Sequence, residues 1–195
     1  MATQLDHYRL LGRSGLRVAP LCLGTMTFGV PAQWGCDAAE AGKILDRYVD
    51  RGGNFIDTAN FYAGGESERI VGQLAQGRRE QLVIATKYSL TMRPGDPNAS
   101  GNQRKNMVQS VENSLRRLQT DYIDLYQFHV GNYPTEKAAE VRDILEMLVD
   151  EGNIRWYGWS TDVVNSAREF APGAHCTSIQ FQLNAIFDNV EMRKV

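Results

Sequence analysis

Short apolar runs alternate with amphipathic helical patterns throughout this chain, at intervals of about 25 to 35 residues. Each apolar run has the length of a strand, and each amphipathic segment repeats its apolar residues at helical spacing. Such alternation predicts right-handed parallel βαβ units, and therefore an α/β fold of the (β/α)8 TIM-barrel type. The six predicted core strands are 21–25, 54–57, 82–86, 122–129, 154–160 and about 176–181.

The number of strands is too small for a closed barrel. An eight-stranded barrel needs about 250 residues, whereas this chain has 195 residues and six predicted core strands. We therefore expect a single domain over 1–195 that forms an incomplete barrel with about six of the eight strands. The segments 8–12 and 16–20 predict a short β-hairpin before it. A doubly wound sheet is the alternative, but 24–29 lacks the GxGxxG turn typical of that fold.

Composition excludes several classes of partner. The net charge of −2 is small and the charges are interspersed, so neither nucleic acid nor an anionic membrane is expected to bind. The first residues, 1–7, lack a basic-then-apolar leader, and no apolar run is long enough to cross a bilayer, so a cytoplasmic location is expected. Cys22, Cys36 and Cys176 are widely spaced and odd in number, which favours reduced thiols over disulfides or a zinc site, and we expect no metal.

Polar residues lie at the carboxyl ends of three successive predicted strands. Asp57, Lys87 and His129 lie at these strand ends. Tyr62 lies in the loop beyond the first of them. Because parallel strands end on one face of a barrel, about 4.8 Å apart, the four side chains can converge. Taken singly, each also has a structural explanation, as a turn cap, a solvated lysine, a packed ring or a core histidine.

The four residue types suit proton transfer to an oxygen. A tyrosine is a weak acid, but a lysine ammonium beside it stabilises the phenolate. We therefore expect Tyr62 to act as the acid with Lys87 as its partner. Asp57 would balance the charge of Lys87, and a neutral His129 would orient a carbonyl group. This arrangement suits protonation of an oxygen that gains charge during hydride delivery.

Two further sequence features lead to predictions about the structure. The segment 88–104 exceeds the usual length of a connecting loop, so it is a candidate pocket rim. Arg116 and Arg117 lie close in sequence to Asp121 and Asp124, and we expect a structural ion pair between these groups.

Three stretches resemble the aldo-keto reductase superfamily in their order and spacing. They are FIDTANFY (55–62) with GGESE (64–68), ATK (85–87) and SLRRLQTDYIDLYQFH (114–129). The resemblance extends over nearly the whole chain. It implies a reductase that transfers a hydride from a nicotinamide cofactor, usually NADPH with NADH not excluded, to a small-molecule aldehyde or ketone.

The resemblance also implies roles for individual residues. Asp57, Tyr62, Lys87 and His129 fall on the catalytic tetrad of the family, with Tyr62 as general acid. The implied cofactor-binding residues are Gly24, Thr25, Asp57, Ser160, Thr161 and Gln180. Ser160 and Gln180 match positions that hold the nicotinamide carboxamide, whereas Thr161 is shorter than the asparagine commonly found there.

A substrate pocket is predicted beside the tetrad. Phe28 and Trp34, together with Tyr62 and His129, would line it. Packing of the long loop 26–35 onto the top of the barrel explains Phe28 and Trp34 equally well.

Two other functions stay open. A lysine at the end of a barrel strand also suits a Schiff-base lyase, with Lys87 as nucleophile. A non-catalytic subunit that senses cofactor or binds a partner would keep the reductase fold, whereas an incomplete barrel fragment would retain the fold and the tetrad but bind cofactor weakly. The missing strands would also carry the segment that grips the adenosine phosphates in the family, so we expect the isolated chain to bind NADPH poorly. An open sheet edge would favour pairing with another chain, and the oligomeric state is left open.

Overall fold

The computed structural model describes residues 4–30, 34–131 and 133–195. Residues 1–3 of the leader prediction and 31–33 of the loop after the first core strand lie outside this part of the chain. Eight strands are present in it, β1 to β8; they are Arg9–Leu10, Arg17–Val18, Leu23–Gly24, Phe55–Asp57, Val83–Tyr88, Ile123–Phe128, Ile154–Ser160 and Cys176–Gln180. Five α-helices, α1 to α5, are Ala38–Val49, Glu66–Ala75, Arg104–Leu118, Ala138–Asp150 and Val164–Phe170.

The strands form two sheets. Strands β1 and β2 pair antiparallel as the predicted hairpin. Strands β3 to β8 form one parallel sheet in sequence order, which curls into half a barrel. A doubly wound sheet reverses its strand order, and this sheet does not. The predicted α/β barrel-type fold with six core strands and an N-terminal hairpin is therefore confirmed.

The helices begin where the sequence supplies a cap and an apolar stripe. The side chain of Asp37 accepts a hydrogen bond of 2.9 Å from the backbone N–H of Glu40, so Asp37 caps the N-terminus of α1. Ala41 and Leu45 recur at helical spacing on α1 and are buried. Gly52 follows the helix with φ of 87°, a left-handed conformation that glycine adopts without strain.

The two central strands are buried along their whole length. Strands β5 and β6 are covered on both faces, as expected for parallel strands between a barrel interior and its helices. Outside the barrel, the rings of Tyr88 and Tyr126 stack at 4.8 Å, and those of Phe128 and Trp159 at 4.5 Å. These stacked rings pack β5, β6 and β7 together near their carboxyl ends, where the candidate site lies.

Some local predictions differ from the structure. The hairpin strands and β3 contain two residues each, fewer than predicted. Asp124 pairs with Arg79 at 2.8 Å, so the expected ion pair with Arg116 or Arg117 is wrong.

The segment after β8 exposes apolar side chains. Ile186 is 99% exposed, and the exposed large apolar residues of this segment are Leu183, Ile186, Phe187, Val190 and Val195. Pairing of this edge with another chain stays a prediction. In the described ranges, no helix has both the length and the apolar character needed to cross a membrane.

Helix α2 packs tightly against the end of α3 at Gly72. A Cβ added to Gly72 would lie 2.6 Å from the backbone oxygens of Arg117 and Leu118. We expect Gly72→Ala to lower the free energy of unfolding by about 1 to 3 kcal/mol, because backbone atoms must move apart to admit the methyl group. Urea unfolding followed by circular dichroism measures this change.

Gly42 on α1 is the matched control. Its added Cβ would lie 3.4 Å from Leu74 Cδ2, an ordinary contact with a flexible side chain. Gly42→Ala should raise the free energy of unfolding by about 0.5 to 1 kcal/mol through helix propensity. Equal stabilities of the two alanine variants would contradict the close packing of α2 on α3.

Candidate active site

The candidate site lies at the carboxyl ends of β4, β5 and β6. Asp57 is the last residue of β4, and Lys87 lies one residue before the end of β5. His129 follows β6, which ends at Phe128 rather than at the histidine. Because β4, β5 and β6 are parallel neighbours in the sheet, these three residues share one edge.

Lys87 is the centre of the site. Its Nζ donates hydrogen bonds to Asp57 Oδ2 at 2.5 Å, to the backbone oxygen of Thr58 at 3.0 Å and to Tyr62 Oη at 3.3 Å. The side chain of Lys87 is 2% exposed and that of Asp57 is 16% exposed. The ammonium is therefore shielded from water, opposed by one carboxylate and in direct contact with the phenol.

A strained loop presents Tyr62. Ala63, Gly64 and Gly65 have φ of 49°, 65° and 93°, all in the left-handed region. Glycine tolerates this region, but alanine does so only at a cost in energy. The loop is anchored where α2 begins, because Ser67 Oγ donates a hydrogen bond of 2.7 Å to the backbone oxygen of Thr25.

His129 and Tyr62 both contact the ring of Phe61. The ring of Phe61 lies 5.0 Å from the Tyr62 ring and 5.6 Å from the His129 ring. Burial, and to a smaller extent the charge of Lys87, lowers the pKa of His129 to about 4. The imidazole is therefore neutral near pH 7. Its Nδ1 is buried and has no hydrogen-bond partner among the described residues.

The lowered pKa of His129 makes stability depend on pH. The ordinary value is 6.5, so between pH 6.5 and about 4 the unfolded chain binds a proton that the folded chain excludes. The free energy of unfolding should therefore fall as the pH drops through this window. Because the ring is only partly buried, we expect this residue to account for about 1 to 2 kcal/mol of the loss.

Comparison of histidine variants isolates that contribution. Urea unfolding at pH 7 and pH 4 should show a smaller loss of stability for His129→Gln than for the wild type. The exposed His7 provides the control, and His7→Gln should follow the wild type. If His129→Gln and the wild type lose the same stability, His129 is not neutral in the folded protein.

The structure adds a residue that the sequence prediction does not include. Gln127 Nε2 donates a hydrogen bond of 3.3 Å to Asp57 Oδ1. Gln127 on β6 is directly paired with Lys87 on β5. A polar residue inside an otherwise buried strand, two positions before His129, is the sequence signal that points to it.

The predicted cofactor residues fall into two groups. Ser160 and Gln180 are register partners at the ends of β7 and β8, and their side chains form no hydrogen bond with any described residue. Gly24 has no atom within 4 Å of an added Cβ, so its surface is open. These three positions are available to a ligand.

The other three side chains, those of Asp57, Thr161 and Thr25, are engaged within the protein, and Asp57 accepts hydrogen bonds from Lys87 and Gln127. Thr161 is 2% exposed, and its Oγ1 donates to the backbone oxygen of Gly131 at 2.7 Å and accepts from the N–H of Val163 at 3.1 Å. Thr25 is fully buried, and its Oγ1 donates to the backbone oxygen of Asp57 at 3.2 Å. Both hydroxyls therefore hold backbone at the strand ends.

The predicted pocket aromatics lie in different surroundings. Phe28 is 2% exposed and belongs to the hydrophobic core, so it offers little surface to a substrate. Trp34 is 63% exposed. Of the predicted substrate-pocket residues, Tyr62 and His129 are the two that the structure brings together, through Phe61.

One cavity borders the tetrad, and a larger one lies away from it. A cavity of about 200 Å³ inside the half-barrel is lined by Asp57, Gln127 and Gln180, among others. A cavity of about 520 Å³ between the hairpin and β8 includes none of the tetrad residues. Among the described residues, no group of three His, Cys, Asp or Glu side chains is placed to hold a metal ion.

Comparison with known proteins gives one consistent family. Residues 20–195 match the model described as the aldo/keto reductase family. The norsolorinic acid reductase of Aspergillus flavus is 43% identical over 169 residues, 81% of this chain and 43% of that protein. The aryl-alcohol dehydrogenase (NADP(+)) of Phanerodontia chrysosporium is 39% identical over 187 residues, 87% of this chain and 48% of that protein.

A solved structure agrees with these sequence relatives. The holo form of aldo-keto reductase AKR11C1 from Bacillus halodurans has a TM-score of 0.79 and 35% identity, over 90% of this chain and 57% of that chain. The parallel half-barrel thus has a counterpart in a solved structure of the same class of α/β proteins as the sequence relatives. This chain belongs to the aldo/keto reductase family. It spans less than half the length of the two curated relatives.

Proposed function

We propose that this chain carries the catalytic site of an NADPH-dependent reductase that converts an aldehyde or ketone into an alcohol. The observation that carries the proposal is the position of Lys87 Nζ, which contacts both Asp57 Oδ2 and Tyr62 Oη. An ammonium held in this way stabilises the phenolate that remains when Tyr62 gives up its proton.

The residues of this chain would supply the proton and orient the substrate. When bound, the nicotinamide ring supplies a hydride to the carbonyl carbon. Tyr62 Oη gives its proton to the carbonyl oxygen as negative charge develops there, so that the product is a neutral alcohol. The neutral ring of His129 donates a hydrogen bond to the same oxygen and fixes its direction.

The donor groups at the ends of β7 and β8 fit a nicotinamide carboxamide. Ser160 offers a hydroxyl and Gln180 offers an amide, and neither side chain bonds to a described residue. Because the Thr161 hydroxyl is engaged by Gly131 and Val163, we assign the carboxamide to Ser160 and Gln180 and a structural role to Thr161. Gly24 would leave room for a ring to approach the strand ends.

Relatives support the choice of cofactor and substrate class. One relative is named aryl-alcohol dehydrogenase (NADP(+)), and another is named norsolorinic acid reductase. Phe61 beside Tyr62 and His129 supplies an aromatic surface at the reacting position. We therefore propose NADPH as the cofactor and an aryl aldehyde or ketone as the substrate. A single domain over 1–195, a cytoplasmic location and the absence of nucleic-acid partners stay predictions from the sequence.

NADPH oxidation in the presence of carbonyl compounds tests this function. Purified protein is mixed with millimolar NADPH, so that weak cofactor binding does not hide turnover, and with matched aryl and aliphatic aldehydes and ketones. We expect oxidation of NADPH with the aryl compounds and formation of the corresponding alcohols. A folded sample that oxidises NADPH with none of these carbonyls would overturn the proposal.

Two alternative functions predict results in other assays. A Schiff-base lyase would form an adduct on Lys87 that borohydride traps, but the contact of Lys87 Nζ with Asp57 Oδ2 disfavours a free amine. A non-catalytic subunit would bind nucleotide tightly without turnover.

A further inference from the structure

Gln127 is a buried polar residue that the proposed reaction does not use directly. It lies on β6, pairs in register with Lys87 and is 2% exposed. Its Nε2 donates a hydrogen bond of 3.3 Å to Asp57 Oδ1, whereas Lys87 contacts the other oxygen of the same carboxylate. Within the described residues, Asp57 Oδ1 has no other hydrogen-bond donor.

Chemistry fixes the orientation of the Gln127 amide. An ionised carboxylate can only accept hydrogen bonds, so the NH2 group and not the oxygen of the amide must face Asp57. The opposite atom, Oε1, is buried and has no hydrogen-bond partner among the described residues. The cavity of about 200 Å³ lined by Gln127 and Asp57 is large enough for a water molecule that could donate to Oε1.

The hydrogen bond from Gln127 affects the orientation of the Asp57 carboxylate and the negative charge that this carboxylate presents to Lys87. With a donor on each oxygen, the carboxylate cannot rotate, and part of its negative charge is taken up by the amide. Without the amide, the carboxylate is free to turn and its whole charge opposes Lys87. A more fully neutralised ammonium stabilises the Tyr62 phenolate less.

We infer that Gln127 is a positioning residue of the reductase site, which holds Asp57 so that Lys87 keeps enough positive charge to assist Tyr62. The inference rests on the proposed function. Gln127 acts through Asp57 and Lys87, and it touches neither Tyr62 nor His129 in any contact of the described residues. A purely structural role would affect stability alone, whereas this positioning role predicts a change in the pH dependence of kcat.

Two substitutions of Gln127 test the inference. Gln127→Met keeps the length of the side chain but removes the donor. We expect kcat to fall about threefold to tenfold with little change in KM, which is the fold-change for the net loss of one hydrogen bond of ordinary strength. The alkaline limb of the kcat profile, where the acid has lost its proton, should move to higher pH. Gln127→Glu adds a second negative charge and should move that limb further.

Tyr126→Phe is the matched control. Tyr126 is the neighbour of Gln127 on β6, is fully buried on the opposite face and has a hydroxyl without a partner among the described residues. Its removal should leave both kcat and the pH profile unchanged. A Gln127→Met protein with the wild-type pH profile would overturn the inference, whether or not its stability falls.

A second readout separates this inference from the proposed function. The absorbance of tyrosinate is titrated without substrate in each Gln127 protein and in the same protein carrying Tyr62→Phe, and the difference reports Tyr62 alone. The difference curve should move to higher pH in Gln127→Met. If the wild type reduces no carbonyl but this curve still moves, the proposed function fails and the positioning role stands. An unmoved curve in an active enzyme rejects the positioning role alone.

Discussion

Replacing Tyr62 with phenylalanine should lower kcat for carbonyl reduction by about 100-fold to 10,000-fold, because the reaction loses its general acid. The rest of the site should remain in place, since Lys87 keeps its contacts with Asp57 Oδ2 and the backbone oxygen of Thr58. The change removes one oxygen atom and leaves the ring that packs against Phe61. Steady-state kinetics with an aryl aldehyde measures kcat, and circular dichroism verifies the fold.

Tyr8 supplies the control for this prediction. It is 41% exposed and precedes the hairpin, so Tyr8→Phe should retain the activity of the wild type. A Tyr62→Phe protein that keeps more than about a tenth of the wild-type kcat falls outside the range for loss of a general acid and would remove Tyr62 from that role.

The second large expected effect concerns the buried ion pair between Glu68 and Arg117. The carboxylate of Glu68 is fully buried and accepts hydrogen bonds of 2.6 Å from Arg117 Nε and from Thr86 Oγ1. Arg117→Met would leave this carboxylate without its counter-charge. We expect the free energy of unfolding to fall by about 3 to 5 kcal/mol, which urea unfolding measures.

Arg116 is an adjacent control on the same helix. Its side chain is 68% exposed and pairs with Glu112 at 3.1 Å on the surface. Arg116→Met should change the free energy of unfolding by less than about 1 kcal/mol, because exposed ion pairs contribute little. Similar losses for Arg116→Met and Arg117→Met would show that burial of the Glu68 carboxylate does not govern the effect.

The fold could be predicted because its signals are local. Strand-length apolar runs and helical spacing lie within short segments, and Asp37 caps α1 within three residues of its partner Glu40. The convergence of Asp57 and Lys87 could also be predicted, because both lie at the ends of parallel strands. The geometry of a parallel sheet connects these strand ends without further information.

The supporting contacts could not be predicted because their partners are distant in the sequence. Arg117 pairs with Glu68, 49 positions away, and Asp124 with Arg79, although Arg116 and Arg117 are nearer in sequence to Asp124. Such pairs depend on which helix faces pack together, and residue type alone does not determine this. Gln127 illustrates the same point, because its contact with Asp57 spans 70 positions.

Whether a side chain is free to bind a ligand also depends on the folded structure. Thr161 and Ser160 are neighbours with the same chemical group, but the Thr161 hydroxyl is engaged by Gly131 and Val163. The burial of Phe28 in the core likewise depends on how the loop after β3 folds back onto the sheet. Sequence resemblance places such residues near a site without showing which atoms are free.

The most direct test of the proposed chemistry follows a hydride. An aryl aldehyde is incubated with the protein and NADPH carrying deuterium at C4 of the nicotinamide ring, in separate samples for the two faces of C4, and the alcohol is analysed by mass spectrometry. We predict one deuterium on the carbinol carbon for one of the two labelled cofactors, with its formation largely lost in Tyr62→Phe. Absence of deuterated alcohol with both cofactors, or equal formation by Tyr62→Phe, would contradict hydride reduction with Tyr62 as the acid.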